Sequence, residues 1–351
     1  MPRRLVLAAV LAAGSACAQD CAGTWDGTVG GAPAMLQFNW DGLGAWYPGT
    51  ALTGAVLRPR DEAPGWDEFD EQGQPTASLR LACAGQTLAG ERTAGGKRAA
   101  VQARRVEDNT YNRRRLAAAE LVALRALPEN NGRVLELVAV PGFAQLATVR
   151  IRQPRAGEAA VNERLRVALL QQLDNHLQCQ ALLRARGQFE PPGGDHLALQ
   201  RLEWRGTILS LQFWLHGRCG GEQAYAGPQQ FTFDTATGQE LPLPQWLRPE
   251  YRAGVAAGTP LHQALVLPQV LRGRKALEDL PPARRDCAEF ELAENAVPFA
   301  VEDRGMVFGF HYSAATASCG LSFVLPWARL ADFLSDDGRR WREAMQAPRQ
   351  R

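Results

Sequence analysis

The sequence predicts two folded domains. The first is an all-β meander of eight short strands closing into a small barrel; the second is an α+β domain with an antiparallel sheet and a long helix. Three observations predict it. Between residues 20 and 105, short alternating segments recur with Gly-rich turns between them. Residues 106–131 shift to an Ala/Leu/Arg composition with helical spacing, which marks a helical connector. From 132 to 338, strands and helices interleave but are joined mostly by hairpin turns. The chain has 351 residues, enough for two cores, and 46% are hydrophobic, an ordinary share for a folded protein.

Residues 1–18 read as a secretory signal peptide. Arg3 and Arg4 precede the apolar run Leu5–Gly14, and Ala16-Cys17-Ala18 supplies the small-x-small cleavage pattern. The run is far too short to span a bilayer. The mature chain is therefore expected to begin at Gln19 and to be exported, with a periplasmic address. Cys17 offers a lipid anchor as the lesser alternative, although Gly14 stands where a lipoprotein signal wants a residue such as Leu.

The β-rich domain, 19–105, opens with Gly23–Val29, and Gly30-Gly31 turns it into Ala34–Trp40, where Leu36, Phe38 and Trp40 share one face. Asp41-Gly42 is a tight-hairpin signal, since Gly tolerates positive φ. Gly44–Tyr47, Ala51–Leu57, Trp66–Phe69, Ala77–Cys83, Thr87–Arg92 and Arg98–Arg104 complete the eight, and closure would remove exposed edges. In the connector, Asp108 or Asn109 can cap a helix, and Leu116, Ala119, Ala123 and Leu127 fall near helical spacing until Pro128 and Asn130-Asn131-Gly132 end it.

In the second domain, Val134–Val140 and Ala144–Ile151 flank a Pro141-Gly142 turn. Gly157–Arg186 is the longest helix candidate, with Val161, Leu165, Leu169, Leu173 and Leu177 as its buried stripe. Leu197–Trp204 and Thr207–His216 form a hairpin about Arg205-Gly206, and Thr237-Gly238 turns the strand Gln229–Asp234. Leu261–Leu271 reads as a helix interrupted at Pro268. Met306–Tyr312 and Leu321–Leu325 make another strand pair, Trp327–Leu334 is a short amphipathic helix, and the basic tail 339–351 is expected to fray.

Composition narrows the function. Loss of Arg3 and Arg4 with the leader takes 39 Lys+Arg to 37, equal to the 37 Asp+Glu. A neutral balance argues against nucleic acid and against a polybasic membrane-surface protein. No stretch after the leader is apolar and long enough to predict a transmembrane segment. Cys21, Cys83, Cys179, Cys219, Cys287 and Cys319 remain, an even number in an exported chain, which reads as disulfides. Sequential pairing is expected, because each consecutive pair falls within one region. Leu79, Leu81 and Cys83 share the inward parity, which aims Cys83 at Cys21 on the first strand.

Four stretches of the second half belong together. Ile208-Leu209-Ser210-Leu211 leads into Cys219-Gly220-Gly221. Phe231-Thr232-Phe233-Asp234 then runs into Thr235-Ala236-Thr237-Gly238, and Val301–Phe310 is followed by Ser322–Pro326 and a short helix. This order resembles a domain of unknown function found in many exported bacterial proteins. The same domain forms the extracellular part of a lysozyme-sensing anti-sigma factor and accompanies a peptidoglycan deacetylase. The resemblance covers Val134–Gly338. One departure matters: the family loop commonly runs Gly-Gly-Ala-His-Pro, and here it is Gly220-Gly221-Glu222-Gln223-Ala224, so no histidine carries over.

The candidate chemistry is thin. His216 shares its strand parity with Ser210, Gln212 and Trp214 and reads as a solvent-face residue. His311 precedes Tyr312 and Ser313 without a nucleophile-elbow turn. His176 lies in the long helix beside Asp174, and His196 and His262 read as surface or cap positions. Asp195, His196, Glu222 and His216 lack close metal-ligand spacing, so no metal is expected. Asp234 reads as a turn residue bonding its own backbone. Glu68, Asp70 and Glu71 beside Trp66 read as a solvated hairpin tip able to face a basic partner. The nine tryptophans read mostly as core. No P-loop, dinucleotide fingerprint, H-E-x-x-H or G-x-S-x-G occurs, so no cofactor is expected.

Two readings follow. The first is a cell-envelope binding or interaction module for another envelope or secreted protein, lysozyme-like included, or for the cell wall. Its surface would be Gly220, Gly221, Glu222 and Tyr225 with His311 and Tyr312, since Gly-Gly admits close approach of another backbone. The second is a peptidoglycan-modifying enzyme, which needs His216, His311 and an acid to converge in one cleft.

Overall fold

The computed structural model describes residues 21–49, 51–60, 63–107, 110–117, 119–188, 195–218, 225–252, 263, 296–310 and 322–346. The chain divides into two compact units: Met1–Glu120 with Leu170–Pro192, and Leu121–Leu169 with Gly193–Arg351.

The first unit holds a closed antiparallel barrel. Its strands are β1 (Gly23–Val29), β2 (Ala32–Phe38), β3 (Gly44–Pro48), β4 (Ala55–Pro59), β5 (Trp66–Phe69), β6 (Pro75–Ala84), β7 (Thr87–Ala94) and β8 (Lys97–Val106). Each pairs with the next, and β8 closes on β1 through Trp25↔Arg105 and its neighbours. Period-two alternation sends Trp25, Leu36, Phe38, Leu57, Trp66, Leu79, Leu88 and Val101 into one buried cluster. Cys21 joins Cys83 at a Cα–Cα distance of 5.2 Å, and the Trp25 indole N–H donates to the Cys21 carbonyl at 2.8 Å. Trp40 does not continue the inward face of Leu36 and Phe38: β2 ends at Phe38 and Trp40 is 79% exposed.

The connector differs from its expectation. Helix α1 (Thr110–Ala117) stops early, and Val122–Ala126 is a strand, β9. Ala119, Ala123 and Leu127 have helical spacing, but residues 122–126 pair with Glu136–Ala139 of β10 (Leu135–Ala139), and Leu127 N–H bonds the Leu135 carbonyl. A ladder to a neighbouring strand overrides a weak local preference.

In the second unit, β10 also pairs with β11 (Ala147–Ile151). The long helix α2 (Ala156–Ala185) buries Val161, Leu165, Leu169, Leu173 and Leu177, the stripe its spacing predicts, and contributes residues to both units. Its start is fixed by Glu158, which accepts from the Arg155 N–H at 2.8 Å and from the Arg133 guanidinium. Asn162 binds both the N–H and the carbonyl of Ile151 on β11.

A second sheet runs β12 (His196–Arg205), β13 (Ile208–Gly217), β14 (Tyr225–Asp234) and β15 (Gln239–Glu240). The third runs β16 (Ala296–Val301), β17 (Gly305–Phe310) and β18 (Ser322–Pro326), followed by α3 (Trp327–Leu330). Trp246, Phe308, Leu325, Trp327, Leu330 and Met345 belong to one core cluster. The tail does not fray at Arg339. Asp336–Gln346 form α4, capped by Ser335 Oγ, which accepts the Gly338 N–H at 2.9 Å. Trp341 packs on the core and Met345 is fully buried, an i, i+4 apolar pair hidden among arginines. Leu261–Leu271, apart from Gln263, lies outside the described residues.

Candidate functional site

The barrel carries its most concentrated polar chemistry indoors. Alternation along β5 turns Trp66 and Glu68 inward, with exposures of 2% and 3%. Glu68 accepts from Arg92 Nε and Nη2, both at 2.6 Å, in a two-pronged pair. It also accepts from the Thr76 hydroxyl at 2.7 Å and the Trp46 indole N–H at 3.0 Å. Burial pushes the Glu68 carboxyl up, but the Arg92 and Thr76 bonds, the Arg92 charge and the Trp46 bond outweigh it and hold the group below its ordinary value. Glu68 therefore does not sit on a solvated acidic tip. Proximity in sequence to Asp70 and Glu71 suggests one, but β5 ends at Phe69, so Asp70 and Glu71 fall in the turn while Glu68 stays within the strand. Asp70 instead holds the turn, accepting from the N–H groups of Gln72 and Gln74.

A cavity of about 260 Å³ opens in the barrel wall against Trp66, on the same strand as Glu68. It exists because β5 is shorter than its neighbour. Strand pairing between β5 and β6 stops at Trp66↔Leu79, while β6 continues to Ala84. The chain enters β5 through Gly65, at φ +127°, where a Cβ would sit 2.3 Å from the Leu79 carbonyl oxygen. Only glycine fits that approach. Pro59, Pro64, Trp66, Leu81, Ala82 and Gly90 give the cavity apolar walls, and Arg60 and Arg80 also line it. Arg60 pairs with Asp67 at 3.1 Å. Arg80 is exposed and makes no ion pair among the described residues. The Trp66 indole N–H donates to the Gly42 carbonyl at 2.7 Å, which ties the cavity to the turn that carries exposed Trp40.

The residues singled out in the sequence fall into three groups. Gly220, Gly221, Glu222, His311 and Tyr312 lie outside the described residues, as do Cys219, Cys287 and Cys319. Tyr225 is placed at the start of β14, paired with Gly217. Cys179 is disulfide-bonded, and Cys219, the partner that sequential pairing expects, lies outside the described residues. Asp234 accepts the Ala236 N–H at 3.0 Å, a turn role. His216 stacks on its cross-strand partner His196, rings 4.8 Å apart and 3° from parallel. Neither His216 nor His196 stands with a third ligating group among the described residues. His176 is 6% exposed and structural in setting, and its neighbour Asp174 pairs with Arg115 at 3.0 Å.

Sequence reasoning missed the wall cavity and the Glu68–Arg92 pair. Parity along Trp66–Phe69 was the available signal for the pair. For the cavity the signal was the mismatch between a four-residue strand and a ten-residue neighbour.

No protein-family model matches the chain, and no curated protein matches it. Among solved structures it is similar to a DUF3298 family protein from Pseudomonas aeruginosa, at 14% identity and a TM-score of 0.38, over 63% of this chain and 96% of that one. It is also similar to a DUF3298 family member from Bacteroides fragilis, at 9% identity and a TM-score of 0.37, over 65% and 98%.

Proposed function

We propose that the chain is an exported, periplasmic binding or interaction module of the cell envelope, with another envelope or secreted protein, a lysozyme-like protein included, or the cell wall as its partner. One observation carries this reading. Glu68, the buried acid of the barrel, is committed to structure, while the barrel wall keeps a mostly apolar cavity beside Arg80, which has no ion-pair partner among the described residues. Glu68 is held by Arg92 and Asp70 by its turn, and in the second unit Asp234 is held by its own turn. The disulfides support export, since such bridges persist in oxidising compartments. Gly220, Gly221, Glu222 and Tyr225, with His311 and Tyr312, are proposed as a contact surface in the second unit. The test is capture from envelope extract with the mature chain, beside an E222A/Y225A variant. Weaker capture at unchanged thermal unfolding supports the surface; equal capture with a large loss of stability assigns the loop a structural role only.

The enzyme reading rests on convergence of His216, His311 and an acid. The stacking of His216 on His196 commits one of the three to a neighbour of its own kind. Turnover of peptidoglycan fragments abolished by His216→Gln would restore that reading.

A further inference from the structure

The open edge of β6 gives the cavity a geometry of its own. The Leu79 carbonyl points to the β5 side, at Gly65, and the Arg80 carbonyl points to the β7 side, at Gly90. In an antiparallel ladder a residue turns its N–H and carbonyl the same way, and successive residues alternate. Leu81 and Cys83 therefore turn their backbone groups away from β7, toward the side where no strand of the described residues pairs with them. Their side chains point inward, and those of Arg80 and Ala82 outward.

We propose that this notch takes an extended segment of a partner protein as an added strand, with one bulky apolar side chain inserted into the cavity and an acidic residue immediately beside it. The inference rests on the binding reading above. A residue paired opposite Leu81 faces the same way as Leu81, so its side chain enters the space between Trp66, Leu81 and Gly90. The cavity measures about 260 Å³, below the roughly 300–1,000 Å³ of pockets for drug-sized ligands, so it fits a side chain better than a free molecule. The next residue of the added strand faces outward, where Arg80 stands exposed without an ion-pair partner among the described residues. Backbone bonds to the Leu81–Cys83 edge supply affinity, and the pocket and Arg80 supply specificity. Asp61 and Glu62 fall between Arg60 and Ala63 in sequence and lie outside the described residues, so a variant lacking both carboxylates joins the test.

The test is selection of a displayed library of random short peptides on the full mature chain, repeated on Ala63→Trp, Arg80→Glu and Asp61→Ala/Glu62→Ala. Ala63 lines the cavity from a loop, so tryptophan there fills the space without touching a strand. Selected peptides should carry an aromatic or large aliphatic residue next to Asp or Glu. Ala63→Trp should weaken them by about tenfold or more, near 1.4 kcal/mol. Arg80→Glu should shift the preference to Lys or Arg, and the double alanine variant should keep the acidic preference. Three results overturn the proposal: no enrichment, enrichment insensitive to Ala63→Trp, or soluble glycan chains occupying the cavity in place of peptide. Envelope capture that persists in Ala63→Trp would leave the binding reading standing and remove only this site from it.

Discussion

Replacing Glu68 by Ala should unfold the barrel more readily than any surface change. The substitution deletes the acceptor for Arg92 Nε and Nη2, the Thr76 hydroxyl and the Trp46 indole. It leaves a guanidinium beside the Trp46 ring, 5.5 Å from its centroid, without its counter-charge. Removing one member of a buried pair costs about 3–5 kcal/mol. Arg92 keeps 22% side-chain exposure, so water recovers part of that and the low end, about 3 kcal/mol, applies. At about 4 °C per kcal/mol for a domain of this size, the barrel transition falls by about 12 °C. The assay is urea unfolding of the mature chain, with hydrogen exchange in β5, β6 and β7 reporting the barrel by itself. Glu68→Met/Arg92→Met should be more stable than Glu68→Met alone, because no unpaired charge remains. The sign of the pH dependence follows from the lowered Glu68 carboxyl. Its contribution is complete above the ordinary value of 4.5 and is lost as pH falls through the depressed folded value. Acid should therefore cost the wild type more than it costs Glu68→Gln. A loss below about 1 kcal/mol in Glu68→Ala, or identical acid profiles for wild type and Glu68→Gln, would refute the reasoning.

Three further outcomes are expected. Cys21→Ser/Cys83→Ser, which opens a bridge between residues 62 apart, should cost about 4 kcal/mol by the chain-entropy model, read from barrel unfolding with and without reductant. Gly238→Ala should cost the second unit about 2–4 kcal/mol, because φ is +77° and a Cβ would sit 2.6 Å from Ala160 Cβ and 2.7 Å from the Gly157 carbonyl; an unchanged melting curve would sink that account. Mass spectrometry of the envelope form should find Gln19 as its N-terminus, and an intact Met1 would remove export, while an acylated Cys17 would replace it with a lipid anchor.

Much of the fold follows from local rules. Eight strands, their turns and the Cys21–Cys83 bridge are legible because period-two alternation and Gly turns act within a few residues. The stripe of α2 is legible because five leucines and valines at helical spacing bury one face whatever lies opposite. The errors fall where a distant partner decides. Val122–Ala126 looks helical until β10 offers it a ladder, and the residues after Arg339 look like a charged tail until a core receives Trp341 and Met345. Glu68 reads as a surface acid until the pairing of β5 with β6 and of β6 with β7 brings Arg92 to it. The wall cavity lies further still from the sequence, since it is made by two strands of unequal length and by an edge that the shorter one leaves unpaired among the described residues. Sequence by itself determined which residues alternate and where the chain turns, because those are properties of neighbours. Only the tertiary structure decided which charges are neutralised and where the barrel wall stays open, because both depend on what the far side of the chain brings within reach.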